Sequence, residues 1–142
     1  PTQFFGHVHP LLLHFPIALL WVAAVAEGIR IRRDSPFLAR AVTWLLALGA
    51  LSAVLAAGSG WFLALIEHVR SDERATLEWH RWLGLATALA GCLAWAAAAR
   101  WSGPVTGARL WLRRGFVWSA AALVTIAGHL GAVIVWGKDW FS

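Results

Sequence analysis

The sequence predicts an all-α fold, an integral membrane four-helix bundle with both termini on the outer side, and three observations carry that expectation. The 142 residues are 60% apolar and only 13% charged, with a mean hydropathy of +0.66, too apolar for a water-soluble domain of this length. Four apolar runs reach the ~20 residues that a membrane helix needs: residues 9–29, 41–66, 77–99 and 116–136. The charges collect between these runs, where a water-soluble bundle would spread them along one face of each helix. One domain over residues 1–142 is expected, and the residue identities display no internal repeat or low-complexity stretch.

In the first run Pro10 suits the opening position of a helix, and Pro16 removes a backbone donor two residues after His14, which predicts a bend or loosened turn. The second run carries a stripe of small residues, Gly49, Ala53, Ala56 and Gly60, with Ser52 and Ser59 beside it, the pattern of close helix packing in lipid. The third places His80, Gly84, Thr87 and Gly91 on one face. That smooth face suits a flat macrocycle or a neighbouring helix. In the fourth, Gly128 and Gly131 thin the helix around His129.

The connections assign the sides. The first holds Arg30, Arg32, Arg33 and Arg40 against Asp34, and the third holds Arg100, Arg109, Arg113 and Arg114 with no acid, so both are expected on the cytoplasmic side. The second mixes Arg70, Arg74 and Arg81 with Glu67, Asp72, Glu73 and Glu78, and the tail adds Lys138 and Asp139, so both face outward. The chain has no methionine and opens on Pro1, which fits an initiator removed in processing. No basic stretch precedes the first apolar run, so no secretory leader is expected.

A net charge of +5 and a pI near 11.4 do not indicate nucleic acid, because the arginines sit beside membrane spans. The lone Cys92 excludes an internal disulfide, and no C-x-x-C-H attaches a haem covalently. There is no nucleophile elbow, phosphate-cradling loop or zinc-protease motif. Four spans without an inverted repeat speak against a transporter. Most tryptophans fall near expected interfaces as an aromatic belt, while Trp21 and Trp95 lie deeper and read as core packing.

On this topology every histidine falls at or near one face. His7 and His9 precede or open the first helix, His14 lies one turn inside it, His68 ends the second, His80 opens the third, and His129 lies in the outer half of the fourth. Ionisable side chains inside a bilayer face the bundle interior and pair, so His14 and His129 call for partners. Neutral imidazole ligates haem iron and transition metals, and a four-helix bundle can offer imidazoles from facing helices. His14, His80 and His129 are the first candidate ligands, with His9 next, and no pairing among them is fixed. His7-Val8-His9 is a short imidazole pair for a non-haem metal, a weaker signal. Glu27, Glu67 and Glu78 read as surface charges.

The segment His9-Pro10-Leu-Leu-Leu-His14-Phe15-Pro16-Ile-Ala18-Leu19 resembles the opening motif of the bacterial membrane family named for domain of unknown function 2231. His80-Arg81-Trp82-Leu83-Gly84 and Gly128-His129-Leu130-Gly131 resemble two later segments of it, so the likeness covers nearly the whole chain. His9, His14, His80 and His129 match family histidines, whereas His7 and His68 have no counterpart. Ala132 stands where a second glycine is common. The resemblance implies redox work at the outer face, because similar domains occur fused to cytochrome c-like domains. None is fused here, so an electron partner would be a separate chain.

Two functions are therefore expected to compete. In one, the chain is a haem b-binding electron-transfer subunit of a larger redox complex in a bacterial inner membrane, facing a cytochrome c or other periplasmic carrier that docks on residues 67–81. In the other it is a non-redox anchor or accessory subunit whose histidines make structural hydrogen bonds. Neither reading makes it an enzyme in its own right.

Overall fold

The computed structural model describes residues 8–33, 35–66, 73–101 and 105–137. The expectations placed on His7, Asp34, Glu67, His68, Arg70, Asp72, Lys138 and Asp139 lie outside the described residues. The helices are α1 (His9–Leu12), α2 (His14–Arg30), α3 (Pro36–Ile66), α4 (Arg74–Arg100) and α5 (Gly107–Trp136). With α1 and α2 counted as one span, four segments are long and apolar enough to cross a membrane, with mean hydropathies of 1.6 to 1.9. The chain is a membrane protein built as a four-helix bundle.

The break between α1 and α2 falls at Leu13. Pro16 cannot donate to the carbonyl of Leu12, and its ring crowds the preceding turn, so the expected loosened turn is present. The other helices run beyond their apolar runs. α3, α4 and α5 contain 31, 27 and 30 residues, and at ~1.5 Å per residue a 30-residue helix is about 45 Å long, well beyond the ~30 Å of hydrocarbon. Arg109, Arg113 and Arg114 thus belong to the first turns of α5 and not to a connection.

Packing is inverted relative to a protein folded in water. Most of the fully or nearly fully buried positions are small, among them Ala23, Ala24, Ala94 and Ala120 at 0% exposure, with Leu20 and Leu46 the large apolar exceptions, while Phe37, Trp44, Leu65, Trp111 and Val135 are more than two-thirds exposed. Lipid tails solvate large apolar side chains as well as a protein core does, so helix association rests on close backbone approach, which small residues permit. A Cβ at Gly49 would lie 2.9 Å from Leu20, and one at Gly91 would lie 3.4 Å from the Cα of Ala50. The stripes on the second and third spans are packing surfaces.

Each helix packs on its neighbours in sequence, and α5 closes the ring on α2. No repeat shows in the residue identities, yet burial repeats between residue i and residue i+71: Leu20 with Gly91, Ala23 with Ala94, Leu46 with Val117, Ala50 with Ala121 and Ala56 with Ala127 are all buried. The two helical hairpins, α1–α2–α3 and α4–α5, thus share one pattern of buried positions. Small residues interchange freely at such positions, which erases identity while preserving shape.

Candidate functional site

The duplication is most exact at the histidine-bearing end. His9 on α1 donates Nδ1–H to the main-chain oxygen of Ala56 on α3 at 2.9 Å, and His80 on α4 donates Nδ1–H to that of Ala127 on α5 at 2.8 Å. In both cases the carbonyl lies 47 residues further along the chain. Each ring also rests on the glycine four residues beyond that carbonyl: a Cβ at Gly60 would come within 2.8 Å of Cε1 of His9, and one at Gly131 within 3.0 Å of Cε1 of His80. The helix geometry explains the pairing. The Cα–Cβ bond leans toward the helix N-terminus, so a side chain at i+4 would shield the carbonyl of residue i, and glycine exposes it.

A carbonyl oxygen only accepts, so both hydrogen bonds place the imidazole proton on Nδ1. The Nε2 atoms of His9 and His80 then carry lone pairs that no described group engages. Ser59 adds to the first clamp, its hydroxyl donating to the same Ala56 oxygen at 3.0 Å and lying 3.1 Å from Nδ1 of His9. The two rings, carried on opposite helices of the ring, meet with centres 6.1 Å apart and planes at 80°. Beside His80, Gly84 leaves open space where a Cβ would stand.

His14 and His129 are not part of this pair. Both are exposed. His14 donates Nδ1–H to the oxygen of Pro10 one turn earlier, at 2.7 Å, and His129 has no hydrogen bond to a described group. The expectation that intramembrane histidines turn into the bundle fails for these two, because α2 and α5 point them past the rim of their shared seam. Among the described residues no three His, Cys, Asp or Glu side chains converge as a metal cluster.

Two further features escaped the sequence reading. Arg81 stacks its guanidinium 3.8 Å from the centre of the Trp61 ring, a cation–π contact that closes the histidine end on one side. At the arginine-rich end Glu27, expected on the surface, is fully buried and takes Arg30 at 2.8 Å, Arg113 at 3.1 Å and Arg114 at 3.3 Å. An acid this deep is tolerated only when paired. The i+3 spacing of Arg30 from Glu27 was the available signal; the two partners from α5 required the fold.

The family model described as "Predicted membrane protein (DUF2231)" matches residues 6–139. No curated protein and no solved structure matches the chain.

Proposed function

We propose, for a chain that belongs to the DUF2231 family of predicted membrane proteins, the role of an electron-transfer subunit that holds a b-type haem at the histidine end, on the outer face of a bacterial inner membrane and within a larger redox complex. The observation that carries this reading is the His9–His80 pair: two imidazoles from opposite helices, each with Nδ1 anchored on a carbonyl and Nε2 free. Anchoring of the distal nitrogen is how proteins fix the tautomer and aim of a ligating histidine.

Two neutral imidazoles with ring centres 6.1 Å apart are a donor pair of the type that would hold a haem iron. Structural zinc and most bare transition ions require three or four protein ligands, whereas haem iron requires two at most. When bound, the haem supplies one-electron redox chemistry. The chain's own contribution is to aim two neutral nitrogens and to hold them with Ala56, Ser59 and Ala127. His14 and His129, the other candidates, face away from the pair.

A second reading is favoured by one observation: each ring already fills a glycine notch and satisfies a carbonyl, which suffices for a structural role in an anchor subunit. Electron paramagnetic resonance of protein purified from haem-supplied cells separates the two. The electron-transfer reading requires a low-spin ferric signal that His9→Ala or His80→Ala converts to high spin, and a haem-free, fully folded protein would leave the anchor reading in place.

A further inference from the structure

The seam between α2 and α5 differs from its duplicate between α4 and α3. Three contacts define it: Ile17 beside Gly128, the Trp21 indole donating to Thr125 Oγ1 at 2.9 Å, and Gly28 beside Trp118. His14 stands seven residues outward from Trp21, on the same helix face, and His129 stands four residues outward from Thr125. At ~1.5 Å per residue the two imidazoles are offset by about 5 Å along the bundle, on helices whose axes lie about 8–10 Å apart. They stand on the two helices of one seam, toward the same end of it. In the duplicate seam the same positions are Leu85 and Gly58.

Both imidazoles are exposed on the outside of the bundle, within segments of membrane-spanning length. Neither Nε2 of His14 nor either ring nitrogen of His129 engages a described group. A polar ring facing hydrocarbon without a partner is costly, and such residues mark a function by default. The partner must reach them from the lipid and present hydrogen-bonding groups. A metal ion would bring charge to a lipid-facing seam with two ligands only.

We propose that His14 and His129 form a binding site for a lipid-soluble hydroquinone, with its ring on the lipid-facing side of the α2–α5 seam and one hydroxyl toward each imidazole. This rests on the electron-transfer reading and names its electron donor. Oxidation of the hydroquinone breaks its two O–H bonds, releases two protons to the free nitrogens of His14 and His129, and yields the quinone. The two electrons leave one at a time to a soluble one-electron carrier in its oxidised form, two of which are reduced for each hydroquinone consumed. The charged arginine end, with Glu27, lies at the other end of the same seam and takes no part.

The test uses the full chain in lipid nanodiscs with a photoreactive azido derivative of a decyl-substituted benzoquinone. Mass spectrometry is expected to place the label around residues 14 and 129, and His14→Leu with His129→Gly, which copies the duplicate seam, is expected to reduce labelling at least tenfold. His14→Leu with His129→Ala repeats the test without a new glycine. Labelling that persists in both double variants, or that lies elsewhere in the wild type, overturns the proposal. Seam labelling that the variants abolish in a haem-free protein supports the site while removing the electron-transfer reading. A haem-loaded wild type that takes no label overturns the site and leaves that reading standing.

Discussion

His9 and His80 are held by the same device twice. Each imidazole bonds the carbonyl 47 residues ahead of it and lies on the glycine four residues past that carbonyl, and the two rings come to lie 6.1 Å apart.

Alanine at Gly60 or Gly131 is expected to push the ring off its carbonyl, because the added Cβ would meet Cε1 at 2.8 or 3.0 Å. Overpacking of this kind costs typically 1–3 kcal/mol. Denaturant unfolding in mixed micelles measures it, and Gly84→Ala, where a Cβ meets nothing within 4 Å, is the control expected to keep or slightly raise stability, by up to about 1 kcal/mol from helix propensity.

Glu27 is fully buried between Arg30 and Arg113, which are themselves buried, with Arg114 partly covered. Glu27→Ala is expected to destabilise the protein by about 3–5 kcal/mol, the usual consequence of leaving a buried partner charge uncompensated. A double-mutant cycle with Arg113→Ala should show strong coupling, since the second change removes part of that uncompensated charge. Additive losses would mean that the ion pair contributes nothing beyond packing.

Trp21→Phe removes the indole donor to Thr125 and keeps most of the ring. The expected loss is small, about 0.6 kcal/mol for an interhelical hydrogen bond in a membrane protein. The cycle with Thr125→Val, followed by the same unfolding titration, should return a coupling of that size.

The fold was largely legible in the sequence, because lipid imposes a length and a composition on every span, and the four apolar runs display both. The loosened turn at Pro16 was legible from backbone chemistry alone. The burial of Glu27 was not, since the arginines that neutralise it come from α5, 86 and 87 residues away. The duplication was hidden because Leu20 and Gly91 occupy equivalent buried places while sharing no chemistry. Among the candidate histidines, depth along a helix was readable, but direction depended on which helices are neighbours, and this separated His9 and His80 from His14 and His129.

The most direct test of the central claim is a dithionite-reduced minus oxidised optical spectrum of protein purified in mild detergent from haem-supplied cells, with pyridine haemochrome quantitation. A haem held by His9 and His80 gives a sharp b-type band in the wild type that is lost in His9→Ala and in His80→Ala and retained in His14→Leu with His129→Gly. A wild type without such a band, or a band that survives both His9→Ala and His80→Ala, would contradict it.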